Sequence, residues 1–289
     1  MAKRQFVFKH SKSQKFWTIR QSVATCTIQF VLALLLMVGC NKVPQKGTLV
    51  KDEIDTLLVQ LQDPDDAVRF AASRRLSKIG EPAVARLLDL LENGTPRGRA
   101  IAAHALAGMQ DNLPGPLRDG TVLVALIKAI NDPEGEVRDN ACRAISLLGE
   151  KSSDRPALVK VLRTRLTDPA ACVSAAFGIA RFDPSSRDAS RILGEALFRP
   201  EPPGSNLYQE TCMILEPMGA AAAPAIPGLR HLLKHSDIDL RLSAIEALEK
   251  LAVVSAPARN DLEQLSRSVN ADEAEAATKA LAAIAANRQ

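Results

Sequence analysis

The sequence predicts an all-α fold, a solenoid of about seven stacked helical hairpins, and three observations carry that expectation. A triplet recurs in which a small residue is followed four positions later by an aliphatic anchor and three after that by a bulky apolar residue. It reads Ala72, Leu76, Ile79; Ala102, Leu106, Met109; Ala141, Ile145, Leu148; Ala175, Ile179, Phe182; Thr211, Leu215, Met218; Ala244, Leu248, Leu251; and Ala277, Leu281, Ile284. Consecutive anchors lie 30, 39, 34, 36, 33 and 33 residues apart, the period of a helical pair that must stack on its neighbours to bury its second face. The composition agrees, being 46% hydrophobic but only 3% aromatic, so small aliphatic side chains carry the core.

Residues 1–39 read as a leader. Six basic residues (Lys3, Arg4, Lys9, Lys12, Lys15, Arg20) and no acidic ones precede an apolar run, Phe30 to Val38, of about half the ~20 residues a spanning helix needs. The run ends Val38-Gly39-Cys40, which resembles the lipobox of bacterial lipoproteins. That resemblance implies cleavage before Cys40 and lipidation of its thiol, two or three acyl chains giving a stable membrane anchor. The other reading is an uncleaved signal anchor over Val23–Gly39. In both, the repeats lie outside the cytoplasmic membrane. Residues 40–50 then read as the lipidated cysteine and a tether, polar and punctuated by Pro44 and Gly47, reaching at most ~35 Å. Removing the leader turns a net charge of +4 into −2, so residues 51–289 lack the cationic excess of a nucleic-acid footprint.

Within the solenoid, Ile54, Leu57, Leu58 and Leu61 space one apolar stripe at i, i+3, i+4 and i+7, a first helix A. Asp63-Pro64 stops it, and Asp65 or Asp66 caps helix B, from about Ala67 to Ile79. Gly80 suits a left-handed cap and Pro82 the first turn of the next helix A. The same punctuation is expected at Gly149 with Pro156 and at Gly219 with Pro224. Further A stripes are Val84, Leu87, Leu88, Leu91 and Leu123, Leu126, Ile127, Ile130, with looser ones after. The 39-residue step holds a predicted loop, Gln110 to Gly120, and a long turn is expected at Pro200 to Asn206.

The Asp-Pro turns, the Val-Arg or Leu-Arg that opens helix B (Val68-Arg69, Val137-Arg138, Leu240-Arg241) and the Ala-x3-Leu-x2-Ile core resemble HEAT repeats of the phycobilisome-lyase-type, HEAT-like kind, over residues 52–285. The resemblance implies a right-handed α-α superhelix, the HEAT-like solenoid. It also implies that Arg69, Arg99, Arg138 and Arg241, which share one repeat position, form a structural ladder on turn acids of their own or a neighbouring hairpin, such as Asp63, Asp132 and Asp237.

In that same column the fourth and fifth repeats carry Cys172 and Tyr208. Tyr208 stands near Phe198 and the turn containing Pro200, Pro202 and Pro203, which together make a candidate partner-binding patch; the competing reading gives Tyr208 and Phe198 a packing role around an irregular turn. His231 and His235, four apart, have a zinc-compatible spacing but neither a following glutamate nor a third ligand nearby, so no metal is expected. Cys142, Cys172 and Cys212 read as packing cysteines, with a Cys142–Cys172 pair left open. The chain lacks CxxCH, CxxC, a phosphate-binding glycine loop and GxSxG, so neither a catalytic residue nor a cofactor is assigned. The expected function is a non-catalytic, lipid-anchored scaffold or adaptor that binds another protein at the bacterial cell envelope, with no nucleic-acid partner. The alternatives are a lyase-type enzyme built on a HEAT-like solenoid and a protein tethering membrane to cell wall.

Overall fold

The computed structural model describes residues 46–201 and 205–287. The first helix, α1 (Lys46–Gln60), takes in the last five residues of the predicted tether, because past Pro44 nothing forbids helical backbone and the stripe that starts at Ile54 extends backwards. The helices α2 (Asp66–Ile79), α3 (Glu81–Asn93) and α4 (Pro96–Ala107) follow with short turns. Next come α5 (Leu123–Ala129), α6 (Gly135–Leu148), α7 (Arg155–Arg163) and α8 (Cys172–Phe182). The rest are α9 (Arg187–Ala196), α10 (Leu207–Leu215), α11 (Ile226–Leu232), α12 (Ile238–Lys250), α13 (Arg259–Leu265) and α14 (Ala271–Ala286). Odd helices are the A members and even helices the B members of seven successive hairpins, and no strand occurs among the described residues.

Local chemistry sets the boundaries. The Asp65 carboxylate caps α2 by accepting the Ala67 N–H at 2.8 Å, and Gly80, at φ +73°, ends the helix where a side chain would be strained. Gly149 departs from the expected cap: its φ is −70°, and its role is space, since a Cβ there would meet Leu158 Cδ1 at 2.5 Å and the Phe182 ring at 2.7 Å. The predicted loop at Gln110–Gly120 is partly helical. Pro114 and Pro116 preset a turn over Gly115–Leu117, which passes through a π-helical segment, Arg118–Val122, directly into α5. Buried Arg118 donates to the Lys151 carbonyl at 2.8 Å and Lys151 Nζ reaches Asp111 at 2.8 Å, so the insertion is fastened to the next hairpin. A 3-10 segment, Glu216–Ala225, kinked at Gly219 (φ +51°), packs against α9.

The core follows the triplet. Leu76, Leu106, Ile145, Ile179, Leu215 and Leu248 are fully buried, each worth about 1.5–3 kcal/mol of transfer free energy, while Leu281 in α14 is half-buried because no further described hairpin covers it. The small partner position is Ala throughout except for Thr211, which is tolerated because its hydroxyl bonds back to the Leu207 carbonyl at 2.7 Å. Along the row B helices pack on B helices, whereas the A helices α3 and α5 diverge and leave a groove of about 810 Å³ lined by Leu88, Leu91, Val124 and Ala125. The face lined by this continuous B row is called the inner face.

Candidate docking surface

The turns between helices A and B hold a ladder of charge. Arg99 donates from Nε and Nη2 to both carboxylate oxygens of Asp132, at 2.7 and 2.8 Å, and from Nη1 to its own turn at the Gly94 carbonyl, 3.0 Å. Arg138 repeats this one hairpin on, with Asp168 at 2.6 and 3.2 Å and the carbonyls of Asp132 and Pro133 at 2.9 and 2.8 Å. Arg241 donates to Glu273 of the next hairpin and to the His235 and Ser236 carbonyls. Arg69, at the first rung, bonds the Asp63 and Pro64 carbonyls and pairs with Asp66.

Arg99 and Arg138 each grip their own turn with one nitrogen and the following hairpin's acid with the other two, whereas Arg241 reaches the next hairpin's Glu273 through Nε alone and Arg69 finds its acid in its own hairpin. Two expected acids do other work: the Asp63 carboxylate accepts the Asp65 N–H, and Asp237 caps α12 through the Asp239 N–H. The sequence reading missed Asp168 and Glu273. Asp168 stands before Pro169, the same Asp-Pro signature as at Asp63 and Asp132, so the signal was present.

These bonds set the pKa values. The guanidinium bond from Arg99 holds Asp132 below the usual carboxylate range, and that from Arg138 does the same for Asp168. Burial pushes Glu273 up, but the bonds from Arg241 and Ser268 more than offset it and its pKa is lowered. A carboxyl with a depressed folded pKa contributes its full stabilisation above the unfolded value, about 3.9 for Asp, and loses it as pH falls through the folded one. The melting temperature therefore drops steeply as acid is added below about pH 4, and the drop is shallower in Asp168→Asn; thermal melts followed by circular dichroism read both.

Tyr208 occupies the arginine column and copies it in another chemistry. It is 6% exposed, its hydroxyl donates to the Arg199 carbonyl of its own turn, and its ring meets His235 of the next hairpin edge-on at 6.1 Å. His235 in turn accepts the Asp237 N–H at 3.1 Å and offers its carbonyl to Arg241, so the ladder continues through the ring. Phe198 is 53% exposed and its ring stacks on His231 at 4.8 Å, while Pro200 is exposed. Pro202, Pro203 and Cys40 lie outside the described residues. The two candidate zinc ligands are thus engaged separately, His231 with Phe198 on α11 and His235 in the turn beyond it.

Cys142, Cys172 and Cys212 are buried free thiols. Burial pushes the thiols of Cys142 and Cys212 up to about 12. Native protein is expected to leave both unmodified by a thiol-specific disulfide reagent at pH 8, with release of the chromophore only after unfolding in guanidinium; rapid native labelling of either would contradict the packing.

On the inner side, one column of the B helices, two residues before each anchor, lies on the face away from the core. It reads Arg74, His104, Arg143, Phe177, Met213, Glu246 and Lys279. Arg74, Arg143 and Glu246 are exposed, Met213 is 62% exposed, and Phe177 is half-buried. Phe70, one turn before Arg74 and 49% exposed, meets the His104 ring edge-on at 5.6 Å. Burial, with Arg143 nearby, lowers the His104 pKa, so this ring is neutral at physiological pH. Arg143 reaches past the intervening α8 to Glu210 at 3.7 Å. Beside it Asp139 is pushed up by burial, against a bond from Ser174. The surface is therefore an exposed stripe of mixed charge and soft apolar side chains carried by successive rigid helices. Sequence reasoning passed over this column, although a position two before a buried anchor falls on the opposite face of its helix and the spacing already marked it.

The pattern of HEAT repeats matches residues 45–107 and 84–180. No curated protein sequence matches the chain. The solved YibA protein of Escherichia coli is similar in fold, with 18% identity, a TM-score of 0.57, and coverage of 82% of this chain and 86% of its own. More loosely similar are the HEAT-like repeats protein of the archaeon Thermococcus onnurineus (15% identity, TM-score 0.44, 82% of this chain and 98% of that one) and a chain from the CpcE–CpcF complex of phycocyanin lyase from Nostoc (19% identity, TM-score 0.40, 80% and 94%). The chain matches the pattern of HEAT repeats over residues 45–180 and folds as an all-α, HEAT-like solenoid of successive helical hairpins.

Proposed function

We propose that the protein is a non-catalytic scaffold that binds another protein along the inner face of its B helices, held at the bacterial cell envelope by a lipid on Cys40. The observation that carries the docking role is the column of exposed Arg74, Arg143, Met213 and Glu246 with half-buried Phe177 among them, which places apolar and charged groups on a rigid, extended surface of the kind solenoids use for partners. The charge ladder does not compete for this role, since its groups are turned into the turns and bonded there. Envelope anchoring is supported by the order of basic segment, apolar run and Val38-Gly39-Cys40. Periplasm-facing or surface-exposed placement follows from it.

Two measurements test this. Capture of a partner from solubilised envelope by the full chain should fail with Met213→Asp, a change at a solvent-facing position that leaves the fold intact; equal capture by both proteins removes the inner face from the account. Intact mass of the membrane-extracted protein should give a chain that begins at Cys40 and carries acyl groups. A mature chain that retains Met1 contradicts the anchor.

A further inference from the structure

We infer that the segment received on the inner face is an extended polypeptide whose charge runs opposite to that of the face: acidic across the first three hairpins, apolar across the fourth and fifth, basic at the sixth. This rests on the docking role proposed above and adds the chemistry of the partner. The face is bipolar. Arg74 on α2 is exposed, as is Lys78 one turn further on, and Arg74 has no ion-pair partner among the described residues. Arg143 on α6 has one ion pair, the 3.7 Å contact with Glu210, besides the longer-range attraction of Asp139 on its own helix, and with the Arg143 and Glu210 side chains 53% and 42% exposed that pair is weak enough to be exchanged for a partner's carboxylate. Phe177 and Met213 follow on α8 and α10, a ring and a flexible thioether with room to adapt to an apolar side chain. Glu246 on α12 is exposed beyond them, with Glu249 close by, and the Lys279 ammonium that ends the column on α14 is paired with Glu275 of its own helix at 2.7 Å.

The spacing decides what form of partner fits. Adjacent packed helices lie 8–10 Å apart, and an extended strand advances about 3.3 Å per residue, so one hairpin corresponds to roughly three residues. A segment of about 16 residues then places position 1 at Arg74, position 7 at Arg143, positions 10 and 13 at Phe177 and Met213, and position 16 at Glu246. A helix rises only about 1.5 Å per residue and would need more than twice that length to touch the same groups.

The probe is a fluorescein-labelled peptide of about 16 residues with Glu at positions 1 and 7, Leu at 10 and 13, Lys at 16 and Ser or Thr elsewhere, made in both chain directions. It is titrated by anisotropy with the full chain in detergent. A second peptide swaps the charges, with Lys at 1 and 7 and Glu at 16. One direction of the first peptide should bind at least about tenfold more tightly than its swapped partner, a difference of about 1.4 kcal/mol. The double variant Arg74→Glu, Arg143→Glu should reverse that order, both positions being solvent-facing. Equal binding of the two peptides, with both lost in Met213→Asp, overturns the charge order while leaving the inner face as the docking surface. Tighter binding of the swapped peptide, or no binding of either, overturns the inference. If Met213→Asp also leaves envelope capture unchanged, the docking role falls with it.

Discussion

Arg138→Ala lowers the free energy of unfolding by about 3 kcal/mol, among the largest single effects expected on this solenoid. The side chain is 20% exposed and its partner Asp168 10%, so both charges sit largely out of water. The guanidinium donates four hydrogen bonds, two to Asp168 and two to the carbonyls of Asp132 and Pro133. Truncation leaves a nearly buried carboxylate with only local backbone donors, which costs more than the bonds themselves contributed. Exposure decides the comparison with other pairs. Lys128 and Glu92 approach to the same 2.6 Å, but they are 75% and 60% exposed, and Lys128→Ala is expected to change stability by no more than about 0.5 kcal/mol. Urea unfolding of Arg138→Ala, Asp168→Ala and the double variant should show the second loss largely absorbed by the first, because the two changes remove one interaction. Fully additive losses would mean that the pair is not coupled.

Tyr208→Ala is expected to cost about 3 kcal/mol or more, and Tyr208→Phe about 1 kcal/mol. The ring fills a buried slot against His235, and the hydroxyl satisfies the Arg199 carbonyl that a guanidinium would satisfy in a regular hairpin. Removing the ring opens a cavity in the ladder between α10 and the turn before α12, whereas removing the hydroxyl leaves one carbonyl short of a donor. Thermal and urea unfolding separate the two. A near-neutral Tyr208→Ala that abolished partner capture would return this residue to the recognition patch drawn from the sequence.

Most of the architecture was legible because the signal is periodic and one-dimensional. Each anchor from Leu76 to Leu248 was placed by its spacing, and burial agrees with it residue by residue. Punctuation was legible where a single residue type enforces it, as at Gly80. It failed where a second demand took over: Gly149 is spent on close approach to Phe182, and Pro114 and Pro116 start a helix inside what reads as a loop. The arginine column was visible, but its acids were assigned by proximity in sequence, and the register of one hairpin on the next, which selects Asp168 and Glu273, exists only in the folded stack. The inner column was equally present in the sequence. Helical spacing alone separates exposed Met213 from buried Cys212, since Cys212 lies three before the anchor Leu215 and shares its face, whereas Met213 lies two before it and falls on the opposite one.

The central claim is that partners meet the inner face of the B helices. It is tested most directly by placing a photo-crosslinking phenylalanine analogue at Met213 on the inner side, and separately at Val124 of α5, 59% exposed in the outer groove, in the full chain expressed in intact cells. Irradiation should give one discrete protein adduct from position 213 and none from position 124. An adduct from position 124 alone would contradict the account.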